Sequence, residues 1–293
     1  MRVTNNLLFQ QALKGTQNTL SQINEQNRVI SSGLRVEKPS DDPTSVGEIM
    51  RSSSGIRALE QYRRNLNTAD SRLSVEDGVL EKITGALTRA KELAISQGGS
   101  GTSSAATRKV TQKEIDGIRD FIIELGNTQH SGSYLFGGQY ADSRPFSGAG
   151  IDPTRPPSGT IEVEGGAGVH YAANHDGTEL LVDTGILDAL ENLSTGLNND
   201  SDTEIHSAIA ELDEAFDGIQ ELVGELGSRM TQVDNALTNL DALEVNLMTF
   251  RSELQDADLE EAITELMNRQ ISYQAAMMAN SRILNNTLSD YLR

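Results

Sequence analysis

The chain contains no cysteine and no tryptophan, only six prolines, and aromatic rings at just 4% of its 293 positions. Without thiols there are no disulfides, no thiolate metal sites and no Cys nucleophile. A thiol-free chain also suits export to oxidising surroundings. The shortage of rings disfavours a wide globular core and favours narrow helical seams of Leu, Ile, Val and Ala. Basic residues are scarce as well, 24 against 43 acidic ones, for a formal net charge of -19. So acidic a chain lacks the basic face that a phosphate backbone requires, so nucleic acid is excluded as a partner, as is docking on anionic membrane. No apolar run approaches the ~18 residues of a transmembrane helix. The opening segment Met1 to Phe9 has neither a signal-peptide apolar run nor a small-residue cleavage site. The expectation is export, if any, by a route that needs no cleaved leader.

What the chain does have is heptads. From Ile205, every seventh residue is apolar: Leu212, Ile219, Leu226, Val233, Leu240, Leu247 and Leu254. A companion column runs Ile209, Phe216, Val223, Met230 and Leu237, then Glu244 and Arg251. This two-in-seven stripe predicts a long coiled-coil helix whose packing loosens over its last two heptads. Leu59, Leu66, Leu73, Leu80, Leu87 and Ala94 form a matching column upstream. The two stripes predict one intramolecular antiparallel seam. At 255–258 the phase slips. A new frame runs Leu259, Ile263, Leu266, Gln270, Tyr273, Met277, Asn280, Leu284, Thr287 and Tyr291. Near the start, Asn6, Phe9, Leu13, Thr16, Leu20, Ile23, Asn27, Ile30 and Leu34 hold a thinner stripe. Such diluted terminal helices are marginal alone, because most helix stability comes from packing a face. Leu13, Leu20, Ile23, Ile30, Leu34, Leu259, Ile263, Leu266, Tyr273, Met277 and Leu284 are therefore candidate assembly-interface residues.

Gly33 reads as a helix stop, and Lys38-Pro39-Ser40-Asp41-Asp42-Pro43 as a connector and restart, with Ser40, Asp41 or Asp42 as cap. The second helix stops at Gly98-Gly99-Ser100-Gly101, and a third carries Ile115, Ile118, Ile122 and Leu125. Pro145, Pro153, Pro156 and Pro157 then crowd into a Gly-rich stretch. Three short runs, 160–164, 169–172 and 178–183, read as strands separated by turns at Gly165-Gly166 and 174–177. A short helix from Ile186 to about Leu197 returns the chain to the long one. The fold class expected is mainly α: an elongated antiparallel coiled-coil bundle of N- and C-terminal arms with a small β-rich inserted domain. Its segments are 1–43, 44–140, 141–200, 201–255 and 256–293.

Enzyme readings find little support. His130, His170, His175 and His206 show no metal-ligand spacing, and His170 and His175 read as surface loop residues. Gly98–Gly101 lacks a Walker lysine, and Ser31-Ser32-Gly33 lacks the flanking glycine of a nucleophile elbow. Asp256, Asp258, Glu260 and Glu261 lack the loop glycine and spacing of an EF-hand and read as a solvated acidic helix start. No catalytic residue, metal or cofactor is expected. An acidic surface enzyme or metal binder built on the 160–183 hairpins stands as the rival outside the structural class.

Ser31-Ser32-Gly33-Leu34-Arg35 followed by Pro39-Ser40-Asp41-Asp42-Pro43 resembles the N-terminal signature of the bacterial flagellin superfamily. Asn65 to Asp70 and Arg89 to Ala94 are similar to its second helix, and Asp256 to Glu261 with Asn280 to Leu284 to its terminal helix. The Pro-Ser-Asp-Asp-Pro form and Tyr134-Leu135-Phe136-Gly137-Gly138 resemble the members that join hook to filament; a short, self-polymerising flagellin is the alternative. The resemblance implies a non-enzymatic subunit, located in the flagellum after type III export. Implied partners are flagellin, hook-associated protein 1, further copies of itself in a ring, and a cytoplasmic export chaperone.

Overall fold

The computed structural model describes residues 2–99, 104–147, 150–151 and 155–291, the side chains of 2–6, 8–9 and 282–291 excepted. The helices are α1 (Arg2–Ser32), α2 (Pro43–Gln97), α3 (Ala105–Gly126), α4 (Ile186–Asn198), α5 (Asp202–Gln255) and α6 (Leu259–Tyr291). Among the described residues, six short strands lie between α3 and α4: β1 (Gln129–His130), β2 (Ser133–Tyr134), β3 (Phe146–Ser147), β4 (Gly150–Ile151), β5 (Glu162–Gly166) and β6 (Val169–Ala172). They pair as three antiparallel hairpins, β1 with β2, β3 with β4 and β5 with β6. The expected mainly α class with a small β-rich insert is thus the fold observed. Its contacts divide it into two units, Met1–Arg57 with Leu243–Arg293, and Ala58–Ala242. The expected segment limits at 43/44 and 255/256 fall at helix ends, whereas the units part inside α2 and α5.

In the second unit the heptad columns meet. Leu66, Leu73, Leu80 and Leu87 of α2 share one buried cluster with Leu212, Ile219, Leu226, Val233 and Leu240 of α5, while Leu59 is half-buried at its edge. The ion pairs Arg63–Asp241 (3.7 Å) and Lys91–Asp213 show the two helices running antiparallel. Helices α3 and α4 add Ile115, Ile122, Leu190, Leu193 and Leu197 to the same core. Arg108 of α3 is buried against Asp200 and Asp202 and also donates to the Gln97 carbonyl, which ties the end of α2 to the start of α5.

The insert departs from the sequence reading in two places. Residues 178–183 form no strand: Glu179–Asp183 is a π-helical turn. The Asp176 carboxylate accepts from the Thr178 and Glu179 N–H groups (2.9 Å each), and the Glu179 carboxylate accepts from the Asp176 N–H (3.0 Å). That reciprocal capping box starts a helix. It also lets the consecutive Leu180 and Leu181 both be buried, which strand alternation forbids. Gly165 and Gly166 belong to β5, and the turn falls one step later, with Gly168 at φ +71°. Gly165 is glycine for space, since a Cβ there would lie 2.7 Å from Leu66 and from Tyr171. Leu135 and Phe136 are fully buried, and Gly138 turns at φ +56°, where a Cβ would meet the Ser158 carbonyl at 2.3 Å.

In the first unit the connector explains its own sequence. Gly33 sits at φ +71° with its N–H on the Val29 carbonyl (2.8 Å), a left-handed helix stop. Leu34 then bridges Asp256 antiparallel. The Gln255 carbonyl accepts from the Arg35 and Val36 N–H groups, and Gly33 accepts from Ala257. Of the three possible caps it is Asp42 that takes the role, accepting from Thr44 and Ser45 through backbone and hydroxyl groups. Asp41 instead folds back on the Glu37 and Lys38 N–H groups. The Ser45 hydroxyl, then the Thr44 hydroxyl and Ser45 N–H, hold the Asp42 carboxyl well below the usual carboxylate range. The Lys38 N–H does the same for Asp41. At the end of α5, Glu244 is buried, while Leu243, Val245, Met248 and Phe250 are exposed.

Because both carboxyls are depressed in the folded chain, their contribution is complete above the ordinary carboxylate range and is lost as pH falls through and below it. Asp42→Asn keeps an acceptor but does not titrate. Proteolysis of the 33–45 connector should therefore rise below about pH 4 in the wild-type chain and depend less on pH in Asp42→Asn. Identical acid profiles for the two chains would refute the assignment.

Candidate assembly interface

The terminal helices α1 and α6 pair antiparallel. The Gln26 amide donates to Glu265, and the Asn280 amide donates to the Thr16 hydroxyl (2.8 Å), both across the pair. The residues that close on each other mix small or polar side chains with a few large apolar ones. Thr16 and Ile23 of α1 and Ala262 of α6 are buried. Ala12, Thr19, Gln26 and Ile30 lie half-buried beside the first two, and Leu266, Arg269, Tyr273, Ala276 and Asn280 beside the third.

This is not the stripe read from the sequence. One column of each expected frame is displaced by a single residue. Ala12 and Thr19 take the inner place rather than Leu13 and Leu20, and Ala262 and Ala276 rather than Ile263 and Met277. Leu13, Leu20, Leu259, Ile263 and Met277 stand 41–49% exposed. Met267, Ile271 and Met278, absent from that reading, are exposed at 58–65%. Ile23 is already buried within the chain, Leu34 is half-buried in the connector, and the Leu284 side chain lies outside the described residues.

The displaced column makes a second face. At about 100° per residue, Leu13 and Leu20 stand roughly a quarter-turn from the α1 contact line. Ile263, Met267, Ile271, Met277 and Met278 centre about a third of a turn from the α6 line. Antiparallel pairing reverses one rotation, so both sets emerge on the same side of the pair. The helix pair thus turns a set of large apolar side chains outward on one side, interspersed with the exposed Gln17, Gln270 and Gln274.

The histidines do not gather into a site. His170 is exposed on β6 and His206 on α5. His175, expected on the surface, is 1% exposed. Its ring Nδ1 shares a hydrogen bond with the fully buried Glu76 carboxylate of α2, which also accepts from the His175 backbone N–H (3.3 Å). Ring Nε2 lies 3.7 Å from Glu225 of α5. Arg229 donates to Glu225 (2.6 Å) and to the Asn174 carbonyl, and holds the Glu225 carboxyl low. A cleft of about 340 Å³ beside them is lined by Tyr171, Glu225, Ser228, Arg229 and Gln232. Among the described residues there is no group of three or more His, Cys, Asp or Glu side chains that could hold a metal. The acidic 256–261 stretch is used locally, with Asp258 accepting from the Glu260 and Glu261 N–H groups at the start of α6.

Residues 3–141 match the bacterial flagellin N-terminal helical region, and 209–292 its C-terminal helical region, together well over half of the chain. The chain belongs to the bacterial flagellin family. Its curated relatives include flagellar hook-associated protein 3 of Escherichia coli (strain K12). That protein is 25% identical over 306 residues, which cover 95% of this chain and 96% of that one. Flagellin FlaB2 of Treponema pallidum (strain Nichols) is also 25% identical, over 98% of this chain and 97% of that one. In fold the chain is similar to the flagellar junction protein FlgL from Legionella pneumophila. The TM-score is 0.57 at 15% identity, covering 73% of this chain and 100% of that one. In this flagellin-family chain the signature residues of the two arms, Gly33 to Asp42 and Asp256 to Glu261, come together at one bridge. The Glu76–His175–Glu225 cluster carried little sequence signal, because its members lie far apart along the chain. Glu76 did offer a hint, as an acidic residue falling among the buried positions of α2.

Truncation of one partner in this buried pair strands the other. Glu76→Ala should destabilise the second unit by about 3 kcal/mol and Glu76→Gln by less, read from denaturant midpoints. A midpoint unmoved by Glu76→Ala would show that the cluster does not hold the insert.

Proposed function

We propose that this chain is the junction subunit joining the hook of the bacterial flagellum to its flagellin filament, in a structural and not an enzymatic role. The observation that carries the reading is the likeness to hook-associated protein 3 over nearly the whole of both chains. The Pro39–Pro43 and Tyr134–Gly138 forms and the outward apolar face of α1 and α6 support it. Its partners would be hook-associated protein 1 on one side and flagellin on the other, with neighbouring copies completing a ring. Before export through the flagellar apparatus a cytoplasmic chaperone would hold it. The interface would comprise Leu13, Leu20, Leu259, Ile263 and Met277, with Met267, Ile271 and Met278 added. Ile23, Ile30, Leu266 and Tyr273 would hold the helix pair itself. The likeness to a flagellin at equal identity and coverage favours a second reading, a self-polymerising filament subunit.

Seeded assembly separates the two. Purified chain should bind hook ends coated with hook-associated protein 1 and should not extend filament fragments without limit, as seen by sedimentation and negative-stain microscopy. Unlimited growth would establish the flagellin reading instead. Each aliphatic side chain buried on docking is worth about 1.5–3 kcal/mol, so Leu20→Glu with Met277→Glu should weaken end-binding by about a hundredfold or more. The thermal transition of the second unit should not move. End-binding at the wild-type level in that variant would remove this face from the interface.

A further inference from the structure

In a chain without cysteine, the only oxidisable sulfur is in seven methionines. Their distribution is uneven. Met50, Met248, Met267, Met277 and Met278 are 40–66% exposed, and all five fall in the unit that contains the terminal helices. Met230, in the other unit, packs against its core. The three methionines of α6 all lie off the line that meets α1 and are 49–62% exposed, on the side that carries Ile263 and Ile271. An apolar docking surface is served as well by leucine. What methionine adds is a flexible, polarisable thioether that a peroxide can reach.

We propose that Met267, Met277 and Met278 form an oxidation site through which a hydroperoxide blocks docking of the terminal helices. The proposal rests on the assembly reading above. The thioether sulfur attacks one peroxide oxygen and the O–O bond breaks. Sulfur is oxidised to the sulfoxide, and the transferred oxygen gives its proton to the leaving oxygen, so a hydroperoxide is reduced to its alcohol and hydrogen peroxide to water. The product is polar and chiral, and burying it among Ile263, Ile271, Leu13 and Leu20 carries a desolvation cost that the thioether does not. Oxidation before docking therefore opposes assembly. After docking the same sulfurs are covered, and the site is closed to the oxidant.

The test treats the full chain with hydrogen peroxide and maps sulfoxides by peptide mass spectrometry. Binding to hook ends coated with hook-associated protein 1 is then measured, along with the thermal midpoint. Wild type and a Met267→Leu, Met277→Leu, Met278→Leu chain are each compared with themselves before and after peroxide. Wild-type binding should fall about tenfold with an unchanged midpoint, because each sulfoxide removes apolar burial, while the leucine chain's ratio should stay near one. Equal binding by oxidised and untreated wild type would overturn the proposal. So would an equal loss in the leucine chain, which would place the effect at one of the four other methionines, or a lowered midpoint, which would make it unfolding. Failure of the untreated wild type to bind at all would instead remove the assembly reading, and this inference with it.

Discussion

The antiparallel bridge between residues 33–36 and 254–257 is the constraint on which the first unit depends. A helix end leaves backbone groups without intrahelical partners. Here two ends answer each other, with Gln255 accepting from Arg35 and Val36, and Gly33 accepting from Ala257. The break after α1 and the break after α5 are therefore one event rather than two. Once both fall at the same level, α1 and α6 must leave it side by side and antiparallel. Asp42 and Asp258 then start the flanking helices at fixed positions, each by accepting from the first free N–H groups.

The two units solve the packing problem differently. In the second, Leu and Ile columns with almost no exposure interlock with α3 and α4, so its stability is internal. In the first, the seam of α1 and α6 is closed by Ala, Thr, Asn and a few larger side chains, with a buried-side hydrogen bond between Asn280 and Thr16. A seam of small residues lets the helices approach closely but removes little apolar area from water. The larger Leu, Ile and Met side chains are held on the outside. Under the assembly proposed above, the isolated chain would pair through this seam and neighbours would bury the outward side chains.

The insert is fastened by polar as well as apolar contacts. Phe136, Phe146, Leu180 and Leu181 give it a core continuous with that of the helices. Glu76 and His175 add a buried pair whose geometry tolerates one arrangement. Buried polar groups are costly unless satisfied, so such a pair specifies where a chain segment sits more than it adds to net stability.

Periodicity and local stereochemistry alone were enough for the helices, the long seam of α2 with α5, the stop at Gly33, the cap near Asp42 and the phase slip at 255–258. Each depends on residues close in sequence, and heptads and caps are local rules. Arm motifs such as Pro39 to Pro43 were also enough to suggest the family. Tertiary structure decided the rest. Which of two adjacent columns of α1 faces α6 turns on a rotation of about 100°, and only the partner helix selects it. Thr178 to Asp183 reads as a strand until Asp176 and Glu179 cap it and both leucines find a core. His175 reads as a loop residue until α2 and α5 bring Glu76 and Glu225 to its ring, a convergence of side chains 99 and 50 residues away along the chain.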